Sequence, residues 1–334
     1  MKKRYRIITS CDDRLAAKVA VTIYTLSQSL KDDFIDFYLL HSRVSEKNTE
    51  MLSAFCDYLA NVKFHSIRIT NPEDYELLAQ NGGKWGVEAY YPLCAHTLLP
   101  QSVERALYLD AGDIMVLGDI SPYYFDTFDG NLIIGVPETF KWSGNTYGFF
   151  QPDDLFDENH LDGITRGIIN TGSYVINLDG MRRDGIDLEQ YIELSKTLYR
   201  IKKENGRLNT MPMADRKTPM AYFGDQGLLS AALIGKIKMY DIPNIIKYRS
   251  LYAPYNFGIH HYIANPRPGY DPVIFHFCFP EKPWKMKYPI FIDRFQDQSE
   301  LLPLKQLTAG IAEYYFLWHE YAIITNGILN QLNL

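Results

Sequence analysis

Residues 5–40 read YRIITSCDDRLAAKVAVTIYTLSQSLKDDFIDFYLL. Tyr5 to Thr9 is a short β-prone run, Ser10-Cys11-Asp12-Asp13 is a polar turn, and Leu15, Val19, Ile23, Leu26 and Leu30 then return at helical spacing before a second apolar run from Phe34 to Leu40. Apolar residues three or four apart share one face of a helix, whereas a short apolar run bounded by turn residues marks a buried strand. The order is strand, loop, helix, strand. It continues with Ser45 as the N-cap of a helix to about Leu59, followed by a third strand from Val62 to Ile69. Strands that alternate with helices pack as a parallel sheet, so the fold class predicted is α/β with a mostly parallel central sheet.

A helix is expected from about Glu88 to Leu99, and Ala106-Leu107-Tyr108-Leu109 then forms a fourth buried strand running into Asp110-Ala111-Gly112-Asp113. In open parallel sheets, ligands lie beyond the carboxyl ends of the strands. The acidic clusters after strands one and four both fall at such ends. Further on the spacing predicts strands at Leu132 to Val136, Gly172 to Asn177 and Val273 to Phe277, and helices from about Leu188 to Lys203 and Asp225 to Leu233. Between them lies a polar loop from Lys141 to Gly167 and another reaching Phe223; long loops in a compact domain usually bind ligands or cover a site. No Pro/Gly/Ser linker separates two domains and no internal repeat is present.

The chain has 334 residues, 46% of them hydrophobic and 22% charged, enough for a large core. Aromatics reach 14%, including 25 Tyr, which suits flat faces for sugars or bases, although most tyrosines in such a protein fill half-exposed core. A formal charge of -6 excludes a general nucleic-acid binder, so an anionic ligand must be held locally. Cys11, Cys56, Cys94 and Cys278 form no CxxC pair and point to a reducing compartment rather than a zinc knuckle or disulfide framework. The N-terminal MKKRYRIITS lacks the apolar region of a signal peptide, and no apolar stretch reaches the roughly 18 residues of a membrane span. The expected location is the cytoplasm, with peripheral contact at the inner membrane face left open.

Asp110 and Asp113 are three apart at a strand end with a glycine between them, so both carboxylates can turn onto one hard divalent cation. Alone, such a pair reads equally well as a turn or helix cap. His276 ends another apolar strand and is followed by Lys282-Pro283-Trp284. Two carboxylates and an imidazole suit Mn²⁺, whereas a lone histidine is more often a satisfied core residue.

Four segments together resemble glycosyltransferase family 8, the group that contains glycogenin and bacterial lipopolysaccharide galactosyl- and glucosyltransferases. Tyr108-Leu109-Asp110-Ala111-Gly112-Asp113 is similar to the family's Asp-x-Asp metal motif, and Asn170-Thr171-Gly172 with Val175-Ile176-Asn177-Leu178 to its Asn-Ala-Gly segment. Asp225-Gln226 with Leu228-Leu229 resembles its Asp-Gln pair, and His276 through Lys282-Pro283-Trp284 its closing His and Lys-Pro-Trp. The resemblance spans residues 5 to 285.

It implies a single Rossmann-like nucleotide-diphospho-sugar transferase domain of the GT-A type over residues 1–285, followed by a C-terminal helical extension at 286–334. The activity implied is a retaining hexosyltransferase that takes glucose or galactose from a UDP-sugar to a saccharide or glycolipid acceptor, as in lipopolysaccharide biosynthesis. Ser10, Cys11 and Asp12, with Arg14 nearby, would contact uracil and ribose; Asp110, Asp113 and His276 would ligate Mn²⁺ or Mg²⁺; Ala111 and Thr171 would line the donor; Lys282 would reach the diphosphate. Asn170, Asp225 and Gln226 would surround the transferred sugar, with Gln226 near the anomeric carbon. Glu138 is similar in position to an acidic residue on the acceptor side, and reads equally as a solvated loop residue.

Three positions depart from the family pattern. The acidic motif has one residue more, Leu93 stands where a basic residue is usual, and Phe279 replaces a glycine between the closing His and Lys. Two other readings therefore stay open: a catalytically weak nucleotide-sugar or glycan-binding protein, and a self-glucosylating primer like glycogenin. Beyond the matched core, Leu307, Ile311, Tyr315 and Trp318 repeat at helical spacing and are followed by Ala322, Ile323 and Ile324, an amphipathic helix expected to pack on the chain's own body or on a second subunit. Its polar face is not rich in Lys or Arg, which favours packing over membrane-surface docking. Homo-oligomer formation stays open.

Overall fold

The computed structural model describes residues 2–82, 85–137, 141–142, 145–146, 169–204, 224–240, 252–254, 273–277, 282–285 and 302–333. The first half runs β1 (Arg4–Ser10), α1 (Ala16–Ser29), β2 (Phe34–His41), α2 (Glu46–Leu59), β3 (Val62–Arg68) and α3 (Glu73–Gly82). A 3-10 helix at Val87–Cys94 passes into α4 (Ala95–Leu98), then β4 (Arg105–Leu109), β5 (Ile114–Val116), α5 (Ser121–Tyr124), β6 (Ile133–Pro137) and the short pair β7 (Lys141–Trp142) and β8 (Asn145–Thr146). After β9 (Ile169–Asn177) come α6 (Leu178–Arg183), α7 (Leu188–Glu204), α8 (Gly224–Ala232), β10 (Ile237–Met239), β11 (Tyr252–Pro254), β12 (Ile274–His276), a 3-10 turn at Pro283–Lys285 and α9 (Leu302–Gln331).

Seven strands form the central sheet in the order β10-β6-β9-β4-β1-β2-β3. β1 pairs in parallel with β2 and β4, β2 with β3, and β10 with β6. Side chains alternate across a strand, and both faces of this sheet are covered. Ile7, Phe37, Leu107 and Val175 belong to the core under α1 and α2, whereas their neighbours Ile8, Tyr38, Tyr108 and Ile176 belong to the core on the other face, with Tyr90, Tyr191 and Leu228. That double burial is why these strands read as unbroken apolar runs. α2 begins where Ser45 predicts, its side chain accepting from the Asn48 amide at 3.3 Å.

The parallel expectation needs one amendment: β9 runs antiparallel to both β4 and β6. The predicted strand at Val273 to Phe277 is β12, but it lies outside the central sheet, between β11 and β5 in a sheet of three. Glu88 to Leu99 is not one α-helix. Pro92 has no N–H to donate and crowds the residue before it, so this stretch winds as the tighter 3-10 form before α4. α3 occupies a stretch to which no helix was assigned.

α9 contains the predicted amphipathic stretch. Tyr315 and Trp318 are buried against Val21, Met115, Phe275 and Phe277, and Tyr321 meets Tyr24 of α1 with ring centroids 5.7 Å apart. Ile323 and Ile324 remain exposed. Among the described residues, no helix is long and apolar enough to cross a membrane. Glu138, Cys278, Phe279 and the loop from 147 to 167 lie outside the described residues.

Candidate functional site

The carboxyl end of β4 is tied down on both sides. The Thr9 hydroxyl donates to the Leu109 carbonyl at 2.8 Å, and the Asp110 amide donates to the Gly172 carbonyl of β9 at 3.0 Å. The chain then reverses through Gly112, whose φ of +78° is left-handed and whose missing Cβ would lie 2.6 Å from Lys18 Cβ. Only glycine fits. The reversal feeds Ile114 into β5, which pairs antiparallel with β12 so that His276 stands opposite Ile114 and the Phe277 amide donates to the Asp113 carbonyl at 2.9 Å. Strand pairing thus brings together residues more than 160 positions apart.

His276 Nε2 lies 3.3 Å from Asp110 Oδ2 and 3.7 Å from Asp113 Oδ2, and one ligand atom from each of the three falls within 4.8 Å of the others. Lys282 Nζ donates to Asp113 Oδ2 and, at 2.7 Å, to the Phe277 carbonyl. Asp113 is buried; burial raises a carboxyl's pKa, but the charges of Lys282 and His276 outweigh it and hold this one below the usual range. Its second oxygen, Oδ1, is buried with no hydrogen-bond partner among the described residues. An acceptor left bare costs free energy unless something positive completes it. Two carboxylates, one imidazole and a bare buried oxygen fit a divalent cation that takes oxygen and nitrogen ligands.

Asn170 and Thr171 start β9, and Asp225 and Gln226 start α8. The Asn170 Oδ1 accepts from the Gly172 amide at 3.0 Å, and the Thr171 amide donates to Gln226 Oε1 at 3.4 Å. Gln226 Nε2 is buried without a partner among the described residues. The Asp225 carboxyl is pushed up to about 7, by burial first and by the charge of Asp110 second, against a hydrogen bond from Thr171. Thr171, whose amide donates to Gln226, precedes Gly172, whose carbonyl accepts from the Asp110 amide, so β9 sets this second cluster beside the first.

The first loop leads from β1 into α1. Ser10 is buried with its hydroxyl 3.4 Å from that of Tyr108, while the Cys11 thiol sits in the core, where burial pushes its pKa up. Asp12 accepts from the Arg14 and Leu15 amides at 3.0 and 3.3 Å, the turn leading into α1, and pairs with the exposed Arg14 guanidinium. Ala111 and Leu93 are buried in the two cores. Sequence reasoning missed Tyr108, whose hydroxyl donates to Asp110 Oδ1 at 2.8 Å, and Trp318, whose indole donates to the Gly112 carbonyl at 2.9 Å. Tyr108 was legible as a buried strand residue heading the acidic motif but not as a partner of Asp110, and Trp318 only as part of an apolar stripe.

An α/β domain with an acidic pair and a histidine converging at the carboxyl end of a central strand, beside an Asp-Gln helix start, defines a GT-A type glycosyltransferase. The chain belongs to glycosyl transferase family 8, whose model matches residues 6–287. In fold it is similar to the galactosyltransferase LgtC, solved in complex with donor and acceptor sugar analogs, at 18% identity and a TM-score of 0.57, covering 91% of this chain and 95% of that one. It is likewise similar to the glycosyltransferase GlyE of Streptococcus pneumoniae TIGR4 at 15% identity and a TM-score of 0.59, over 99% of this chain and 63% of that one. The bifunctional glycosyltransferase WbbM, at 14% identity and a TM-score of 0.56, is covered over 51% of its length. None of the curated proteins compared with the chain matches it in sequence.

Proposed function

We propose that this glycosyltransferase moves a hexose, glucose or galactose, from a UDP-sugar to a saccharide or glycolipid acceptor with retention of anomeric configuration. The observation that carries the reading is the meeting of Asp110, Asp113 and His276 beside Lys282 on one side and Asp225 and Gln226 on the other. Asp110, Asp113 and His276 would hold Mn²⁺ or Mg²⁺, which when bound neutralises the charge that builds on the diphosphate as it departs. Lys282 supplies a further positive charge to the same oxygens. Gln226 would offer its Nε2, which has no partner among the described residues, near the sugar, and Asp225 would accept from sugar hydroxyls. Asn170 would join Asp225 and Gln226 around the sugar with Thr171 beside the donor, and Ser10, Cys11 and Asp12, with Arg14 nearby, would contact the nucleoside.

The bond between the anomeric carbon and the diphosphate oxygen breaks as the acceptor oxygen bonds the same face of that carbon. The acceptor's proton leaves with a phosphate oxygen. Positioning and charge neutralisation then account for the rate, without a nucleophilic carboxylate. The unpaired Cys11, Cys56 and Cys94 agree with a reducing, cytoplasmic setting, and the exposed Ile323 and Ile324 with peripheral contact at the inner membrane face.

The test is a screen of UDP-hexoses with Mn²⁺, reading UDP release with and without saccharide acceptors. Metal-dependent release from at least one donor is expected. Release from none, with UDP still stabilising the chain, would leave a nucleotide-sugar-binding protein. Hexose increments in the intact mass of the chain would point to a self-glucosylating primer.

A further inference from the structure

The family match ends at residue 287, yet a side chain from beyond it enters the metal loop. Trp318 of α9 is 3% exposed, and its indole N–H donates to the carbonyl of Gly112, between the two aspartates. Gly112 is pressed from α1 as well, by Lys18, which leaves no room for a Cβ. The same turn of α9 reaches the Lys282 segment: the Trp284 and Trp318 ring centroids are 5.9 Å apart. One position earlier in the apolar stripe, Tyr315 meets Phe277 at 4.8 Å, the residue whose amide holds the Asp113 carbonyl.

We propose that α9 is a brace for the donor site and that Trp318 is its positioning residue, fixing the turn that aims Asp110 and Asp113 at His276 while its ring packs against Trp284 beside Lys282. The physical reason is the left-handed turn itself. A reversal through glycine is intrinsically loose, since glycine visits both signs of φ, and a buried carbonyl at that point needs a donor. The indole supplies the donor on a rigid two-angle side chain. Groups that orient metal ligands without touching the ion usually change affinity or activity about 10- to 100-fold when lost.

This inference rests on the metal reading above, and the experiment separates the two. Trp318→Phe keeps the ring packing and removes only the N–H donor; Tyr321→Leu weakens α9 against Tyr24 without touching the loop. Mn²⁺ affinity of the full chain is measured by paramagnetic resonance, and amide exchange across residues 110–116 is followed without metal. Trp318→Phe is expected to weaken Mn²⁺ binding at least about 10-fold and to speed exchange in the loop, while Tyr321→Leu lowers thermal stability and leaves both near wild type. Wild-type affinity in Trp318→Phe overturns the brace alone, and an equal loss in Tyr321→Leu overturns Trp318 as its positioning residue. Absence of Mn²⁺ binding by the wild-type chain overturns the metal reading and the brace's part in it, and unchanged loop exchange in Trp318→Phe then removes the brace entirely.

Discussion

Asp110 and His276 are poor contributors to the core and strong candidates for the chemistry, and that difference makes them testable. Asp110 is about one-third exposed and lies at a strand end, so Asp110→Asn removes a charge without opening a cavity. It should reduce UDP release at least about 100-fold, with an unfolding midpoint close to wild type. His276→Ala should do the same to turnover at a somewhat larger cost in stability, because His276 is buried. Full turnover by Asp110→Asn in metal-depleted buffer would remove the metal from the mechanism. The strand-end aspartates were legible in the chain as a chemical type, but not their partner: nothing local to Ile274-Phe275-His276 says that it pairs with Ile114, and only the resemblance linked them.

Asp225 gives a pH signature in the metal-free protein. Its folded pKa of about 7 lies above the ordinary carboxylate value of 3.8, so below the unfolded value the neutral carboxyl costs nothing. As pH rises through the folded value, the group must either ionise beside Asp110 or stay protonated at increasing cost. Stability contributed by this group is therefore complete near pH 4 and is lost by about pH 7 to 8. Asp225→Asn should match wild type near pH 4 in urea melts with a chelator present and exceed it at pH 8. Parallel curves for the two proteins would mean that the carboxyl ionises normally.

Among the elements, the alternation of β1 to β4 with helices was legible because β1, β2 and β4 are buried on both faces, β3 keeps apolar Val62, Phe64 and Ile67, and each helix has one apolar stripe. β9 and β12 were legible as strands but not in direction or partner, since an antiparallel strand between two covered faces has the same apolar content as a parallel one. The 3-10 stretch at Val87–Cys94 needed the single proline to be weighed against a good helical pattern. The turn between β4 and β5 joins these points to function, because its left-handed Gly112 sets the direction of both aspartates. Gly112→Ala adds a methyl at positive φ and drives it into Lys18 Cβ. A cost of about 1–2 kcal/mol from the backbone alone is expected, with more from the clash, and Mn²⁺ affinity should fall with it. A urea midpoint and a Mn²⁺ titration near wild type would show that the turn has freedom the packing denies it.

Taken as one body, the protein carries acidic charge at the site proposed for an acidic ligand, and that sets how it should respond to UDP. The net charge is -6, and the proposed diphosphate site itself presents Asp110 and Asp113, with Asp225 only partly ionised near pH 7, against Lys282. A diphosphate brought alone to this cluster meets mostly negative charge, so its binding should depend on the cation rather than merely be improved by it. Ligand that binds only the folded chain stabilises it by about 2.7 kcal/mol at 100 times Kd. At roughly 2.1 cal/mol/K per residue, a chain of this length has an unfolding entropy near 0.7 kcal/mol/K, so the melting temperature should rise by about 4 °C. Thermal melts with UDP alone, Mn²⁺ alone and both together are expected to show most of that rise only for the pair. In Asp110→Asn the rise with both should shrink to that seen with UDP alone. A full shift from UDP in the presence of a chelator would mean that the basic groups of the first loop and Lys282 hold the nucleotide unaided, and that the acidic pair serves the turn instead.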